Sequence, residues 1–567
     1  MNHALILTGA SFSYPEDYHI TEVPVRGTGA HRIASHMRET GEWDIEVLDF
    51  VDAWTIEELK DFVDSRVSSS TKWIGFSVFF TYSPFSELTI VTKHNAIAKY
   101  VKEKYPWIKT VVGANKLVNV VRHRHMDYYS IGNGEHAIVA LCEYFVGRNP
   151  EPIVKVMTNP LDLIDMHGVK FNIIDCFRDY PAYPHRNPKT SYEERDFIKS
   201  HEVLTMELSR GCIFKCTFCD YAPLGVRGDN SREVGNFKEE LVENYEKWGV
   251  THYCLADETA NASSGYISKF ADAVRTLPFQ PQFHGFIRGD LFVRRKQQDW
   301  DNMIDMGFTS HSMGLETFNH AAGKSIHKGF SPLQLQEGLL QGEEYFRSNV
   351  LPGNHYTCTI SMIAGLPHET FESLDNTERW LNKYWQNQIT MHPLYISQHV
   401  TNGIDAVSEI ERDPSKYGYT YREMGHYDKA FMRFADHNGE FAFEGYSQWE
   451  SLSIKEKRGL IDVENTTKEI LKDRAAETKS LVWVHPSGDY DYIDMVEWAA
   501  KFQNNRVIEL NRPESQSGWH MGWYKQHGYT DLREVYNGNP PIITSSDVGR
   551  YYDFIDNYKK DKMNWYK

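Results

Sequence analysis

From residue 1 to about 150 the chain alternates short apolar runs with longer stretches whose apolar positions recur every three or four residues. HALILTG, IEVLDF, KWIGFSVFF, IKTVVGA and DYYSIGN read as strands, and GAHRIASHMRETG, TIEELKDFVDSRV, LTIVTKHNAIAKYVKEKY and EHAIVALCEYF as helices. This order predicts an α/β, Rossmann-like parallel sheet with helices on both faces. Ligands of such sheets sit beyond the carboxyl ends of the strands. Those ends carry Gly9, FFTYS from Phe79, GANK from Gly113 and GNGE from Gly132. Each glycine alone is a tight turn; together they line one edge. Residues 151–200 hold five prolines, at 152, 160, 181, 184 and 188, and read as a linker.

A second alternating series fills residues 201–400, with candidate strands VLTMELS, THYCLAD, PQFHGFIRG, FTSHSMGLE, HYTCTISMIAG and QITMHPLYI. Six strands separated by helix-length segments predict a partial (β/α)6 barrel of the TIM type, whose active site belongs at the strands' carboxyl ends. Residues 401–567 form a mixed C-terminal region of unassigned role, without a repeat or a cysteine.

Length and charge narrow the partners. The 567 residues suffice for about three or four domains. With 61 Lys and Arg against 78 Asp and Glu, the formal charge of −17 disfavours unspecific binding to nucleic acid or an anionic membrane. The apolar stretch IGFSVFF is far shorter than the roughly 20 residues that span a bilayer. The start MNHALILTGASF has no basic segment ahead of its apolar run, so the expected compartment is the reducing cytoplasm. Aromatic content of 14% is expected to serve packing, with a stacking pocket for a flat ligand as the alternative.

The sharpest chemical signal is SRGCIFKCTFCDY, directly after the first barrel strand. Cys212, Cys216 and Cys219 leave a tetrahedral zinc one ligand short. On a cubane iron-sulfur cluster the same three thiolates leave one iron open, which is a place for chemistry. Zinc completed by a distant His or Cys, and chance clustering of core thiols, stand as alternatives.

The spacing C-x3-C-x2-C with an aromatic, Phe218, before the last cysteine resembles the radical S-adenosylmethionine (SAM) enzymes. The resemblance implies a 4Fe-4S cluster whose open iron binds the amino and carboxylate groups of SAM. One electron, from an external donor such as flavodoxin or ferredoxin, then yields a 5'-deoxyadenosyl radical. LADETANAS looks like the family's acidic turn, making Asp257 and Glu258 candidates for the methionine amino group, although such a pair also caps helices. IRGD offers Arg288 to a carboxylate, or to solvent. MGLETFNHAAGKSIHKG resembles the G-x-E-S stretch with its trailing Lys-Gly, with Thr317 in place of Ser, and marks Glu316 as a ligand to the nucleoside or amino group. MIAGLPHETFES resembles the G-L-P-x-E-T run, where Gly365 lets backbone approach adenine.

The first 150 residues are similar to the cobalamin-binding domain of one subgroup of that family. VVGANK and YYSIGNGEHAIVAL match its glycine stretches and nominate Gly113 and Gly132, while the absence of a D-x-H-x-x-G segment implies a cobalamin without a protein histidine on cobalt. FFTYSPFS would then lie under the corrin. The leading expectation is a cobalamin-dependent methyltransferase acting on an unactivated carbon of a small-molecule or peptide substrate. The alternatives are a cobalamin-free radical rearrangement, cyclisation or oxidation, and a non-catalytic zinc-binding protein. Cys254 and Cys358 read as core thiols.

Overall fold

The structure is a computed structural model that describes residues 1–9, 25–78, 84–115, 123–157, 170–179, 189–219, 231–352, 356–385, 387–396, 408–423, 481–495 and 545–566, with a few single positions between them. FFTYS and most of the loop from Ala10 to Thr28 lie outside them, as does Lys116.

The N-terminal sheet holds β1 (Asn2–Thr8), β2 (Trp43–Leu48), β3 (Thr71–Ser77), β4 (Lys109–Ala114), β5 (Tyr128–Ile131), β6 (Lys155–Met157) and β7 (Phe171–Asp175) in the order β2-β1-β3-β4-β5-β7-β6. All neighbours run parallel except β6 and β7. Alternation explains the two-sided burial: in β1, Leu5 and Leu7 join the core on one face, Ala4 and Ile6 that on the other. The helix Ile56–Arg66 starts where it does because Thr55 and Glu58 form a capping box.

The sheet runs past the expected boundary near residue 150. β6 and β7 come from the segment read as a linker, and Phe171, Ile173 and Ile174 bury against both cores. A five-residue strand between proline-bearing stretches gives too short a pattern to announce itself.

The second sheet contains β8 (Val203–Met206), β9 (His252–Leu255), β10 (Gln282–Arg288), β11 (Phe308–Glu316), β12 (Thr357–Ala364) and β13 (Gln388–Pro393), all parallel, in the order β13-β12-β11-β10-β9-β8. These are the six expected strands in the expected sequence, and the barrel is open between β8 and β13. Phe283, Ile287, Met313, Leu315, Ile360 and Met362 point outward into one core with the surrounding helices.

The C-terminal region serves both units. β14 (Thr420–Glu423) pairs antiparallel with β15 (Leu481–Val484), and Trp483, Tyr490, Tyr492 and Met495 join the barrel core. The helix Ser545–Asn564 instead places Ile555 and Tyr558 in the core of the N-terminal sheet. Among the described residues no helix is long and apolar enough to cross a membrane.

Candidate functional site

The three-cysteine loop leaves β8 at the carboxyl end of the barrel. Its backbone is held from outside: Thr217 Oγ1 donates to the Ser325 carbonyl (3.1 Å), Ile410 N–H donates to the Thr217 carbonyl (2.9 Å), and His327 Nδ1 lies 2.7 Å from the Lys215 carbonyl. Cys212 and Cys219 are half-buried, Cys216 is buried, and none is in a disulfide. Phe218 packs on the barrel core.

Arg288, expected at the end of β10 to meet a carboxylate or solvent, is buried. Its Nε and Nη2 donate to the carboxylate of its own near neighbour Asp290, both at 3.0 Å, and its Nη1 donates to Cys216 Sγ at 3.0 Å. Its guanidinium lies 4.0 Å from the centre of the Phe214 ring. Burial raises the Cys216 thiol above its ordinary value, against the pull of Lys328 and Arg288.

Glu316 ends β11 with φ 74, a left-handed conformation that a non-glycine residue adopts at a cost of about 1–3 kcal/mol. The β11–β12 register shifts between Gly314 and Glu316. The turned carboxylate accepts from Lys328 Nζ at 2.6 Å, and Lys328 also donates to the Gly314 carbonyl at 2.9 Å. A Cβ on Gly314 would stand 2.7 Å from Glu316 Oε1, so glycine there makes the room for this pair. Lys328 is the lysine of the trailing Lys-Gly in the quoted stretch, to which sequence reasoning assigned no role.

The acidic pair after β9 divides its labour. Asp257 caps no helix, since Ser263 caps the helix Ser264–Val274. It is fully buried and accepts from Leu208 N–H (2.8 Å), Ser209 Oγ (2.6 Å) and Tyr266 OH (2.8 Å), bracing the entrance to the cysteine loop. Burial pushes its carboxyl up to about 6. Glu258 beside it keeps a buried Oε2 with no hydrogen-bond partner among the described residues. Burial, with Asp257 and Glu207 adding negative charge, pushes this carboxyl up to about 7.

Gly365 has φ +93, and a Cβ there would come within 2.7 Å of Trp483, so both conformation and packing require glycine. Its N–H donates to Glu369 Oε2 (2.9 Å) and its carbonyl accepts from Tyr419 OH (2.7 Å). Glu369 also accepts from Leu366 N–H (3.0 Å) and from Thr317 Oγ1 (2.7 Å). Sequence reasoning passed over Glu369 although it quoted GLPHET, and it treated Thr317 only as a departure. That hydroxyl joins the ends of β11 and β12.

On the N-terminal edge, Gly113, the residue before the end of β4, has none of the described residues within 4 Å of where its Cβ would stand. Gly132, after β5, has φ +100 and would bring a Cβ within 2.8 Å of Phe177. The two edges meet: Glu135, which opens the helix after the GNG turn, accepts from Arg210 at 2.5 Å, immediately before the cysteine loop. Arg210 also pairs with Glu207 at 3.1 Å, and Arg32 with Glu207 at 2.8 Å. Behind this seam Arg26, fully buried, donates to Glu202 (2.6 and 2.9 Å) and Asp49 (2.6 Å).

Among the described residues no three His, Cys, Asp or Glu side chains stand together as a metal site, the three thiols included. Their chemistry nevertheless fits a thiolate-held group, because buried cations lie beside Cys216 and thiolate ligands are anions. On the other edge, the space that the described residues leave over Gly113 fits a bulky ligand approaching backbone.

No family model matches the sequence, and no curated protein matches it. Solved structures do. The radical S-adenosylmethionine methyltransferase TsrM from Kitasatospora setae, with cobalamin and a 4Fe-4S cluster bound, superposes with a TM-score of 0.51 at 13% identity, over 74% of this chain and 81% of that one. TsrM with tryptophan substrate and a SAM analogue gives a TM-score of 0.50 at 13% identity, over 75% and 79%. The cobalamin-dependent S-adenosylmethionine radical enzyme OxsB, with aqua-cobalamin bound, gives 0.51 at 13% identity, over 99% of this chain and 80% of that one. The chain has the fold of these cobalamin-dependent radical enzymes.

Proposed function

We propose that the protein is a radical SAM enzyme in which Cys212, Cys216 and Cys219 hold a 4Fe-4S cluster and the carboxyl edge of the N-terminal sheet holds a cobalamin, and that it methylates an unactivated carbon. So loaded, the cluster supplies the electron that cleaves SAM and the corrin supplies a methyl carrier. The residues supply binding and orientation. Glu258, the one carboxylate of the acidic pair with an unused buried oxygen, receives the methionine amino group. Asp257 keeps the loop entrance fixed through Leu208 and Ser209. The Glu316–Lys328 pair presents its second carboxylate oxygen to the nucleoside, and Glu369 holds the Gly365 turn against which adenine would lie.

The observation that carries the reading is the seam: Arg210–Glu135 joins the cysteine loop to the glycine turn of the N-terminal sheet, so both ligand edges open toward one space. Protein purified without oxygen is expected to carry about four irons per chain. It is also expected to retain hydroxocobalamin through gel filtration at tens of micromolar, where a site of about −8 kcal/mol is largely filled. One zinc and no iron would refute the cluster. Iron without corrin would refute methyl transfer through cobalamin.

A further inference from the structure

The inner face of the barrel is unlike its outer face. Along β12 burial alternates, with 358, 360, 362 and 364 buried and 359, 361 and 363 half-buried. The register aligns the inward positions in rungs: His284 with Ser310, Phe286 with Ser312 and Thr359, and Arg288 with Gly314, Ser361 and Thr390. The lowest rung is closed, since His284 and Ser310 are buried and 3.3 Å apart. On the next rung stands Phe286, in the middle of a strand and 42% exposed, while its outward neighbours Gly285 and Ile287 are buried. The rung above carries Arg288, already engaged with Asp290 and Cys216. One rung is two residues, or about 7 Å. On β10 to β12 the inward positions below Arg288 carry no carboxylate, lysine or arginine among the described residues. They carry the hydroxyls of Ser310, Ser312 and Thr359, and Ser361 stands level with Arg288.

We propose that this rung is the substrate seat, and that it selects an uncharged, flat, ring-bearing small molecule stacked on Phe286 with a hydrogen-bonding edge toward Ser312 and Ser361. The proposal rests on the radical reading above, because the seat lies one rung below the arginine that touches Cys216. An exposed aromatic face in a concave site gives area to a flat ring and little to an aliphatic one. Hydroxyls both donate and accept, which suits an amide-like edge. Against the faces of β10 to β12 a charged ring would find no counter-charge below Arg288 and would lose its hydration.

Three probes separate these features: 2-quinolinone, flat and neutral with an amide edge; quinaldate, flat but anionic; and decahydroquinolin-2-one, the same edge without the flat ring. Binding to the full chain, saturated with S-adenosylhomocysteine, is read by ligand-observed NMR. 2-Quinolinone is expected to bind at least about tenfold more tightly than either analogue, and to lose about tenfold with Phe286→Ala, the scale of one ring stacked on an aromatic. Ser361→Val should cost a few-fold, and Leu333→Ala, on an exposed helix outside the barrel, nothing. Equal binding of all three probes, no binding of 2-quinolinone, or full retention in Phe286→Ala would each overturn the proposal. Failure of the cluster itself would appear separately, as iron-free protein.

Discussion

The two ligand edges that meet at Arg210–Glu135 are built on opposite principles. The barrel edge is made of buried ionisable groups, each held by named partners: Asp257 by Leu208 and Ser209, Glu316 by Lys328, Arg288 by Asp290, and Glu369 by Thr317 and two backbone N–H groups. The N-terminal edge is glycine, with Gly113 uncovered by the described residues and an aromatic wall beside Gly132. Fixed charges at fixed spacing recognise a small zwitterion. Bare backbone recognises bulk and shape. The contrast is what a site taking SAM on one side and a corrin on the other requires.

Removing a thiol should give the largest effect, and on the barrel side alone. Cys212→Ala, Cys216→Ala and Cys219→Ala are each expected to abolish iron and the cluster's visible absorption while leaving hydroxocobalamin retention intact. Cys142, Cys176, Cys254 and Cys358 should be dispensable for iron. Iron retained in any loop variant would refute the assignment, and corrin lost with the cluster would show that the edges are not independent.

The seam that holds the edges together comes next. Arg26→Met takes the guanidinium from two fully buried carboxylates and leaves Glu202 to the Lys199 N–H and Asp49 to His31. Such a loss costs about 3–5 kcal/mol. The first transition in a urea titration should move to lower concentration, and iron content and corrin retention should fall together. An unchanged transition would mean that the ion network does not hold the domains together.

The two edges should also differ in pH dependence. Burial pushes the Glu369 carboxyl up to about 7, from an ordinary value of 4.5. A raised carboxyl favours the folded state when protonated, so its contribution is complete below about 4.5 and lost as pH rises through about 7. A gap of 7 − 4.5 = 2.5 corresponds to about 3 kcal/mol. Glu135 has the opposite sign: burial opposes its ionisation, but Arg210 holds it below the ordinary value, so its contribution is present above about 4.5 and lost on acidification. Between pH 5 and 8 the denaturation midpoint of Glu369→Gln is therefore expected to change less than that of the wild type. Equal slopes would refute the role of burial at Glu369.

Much of this was legible in the chain, and the illegible part has a common cause. The six barrel strands and their order follow from local alternation, and Cys212, Arg288, Glu316 and Gly365 all fall at strand ends because each motif directly follows its strand. Lys328 and Glu369 were passed over inside quoted stretches, but most of what escaped is set by residues far away in sequence. Asp257 meets Leu208, Thr317 meets Glu369 and Gly365 meets Trp483, and no window around any of them contains its partner. The C-terminal region was unreadable for the same reason: Tyr419, Trp483, His485 and Tyr490 act by donating to, or hydrogen-bonding with, the backbone around Gly365, Leu394, Leu366 and Glu369.

The smallest effect separates two glycines that look alike in sequence. At Gly132 an added Cβ would meet Phe177 at 2.8 Å, in a backbone conformation that side chains disfavour. Gly132→Ala should therefore cost about 1–3 kcal/mol of stability whatever ligand is present. At Gly113 the backbone needs no glycine and none of the described residues stands within 4 Å of an added Cβ, so Gly113→Ala should leave the urea midpoint unchanged. If that space belongs to a corrin, a methyl group there must weaken corrin retention even so. Gly113→Ala with normal stability and reduced hydroxocobalamin binding would make the N-terminal edge a ligand surface. Unchanged binding would leave Gly113 an ordinary strand end, and would move the corrin, if one binds, toward the turns after β1 and β3.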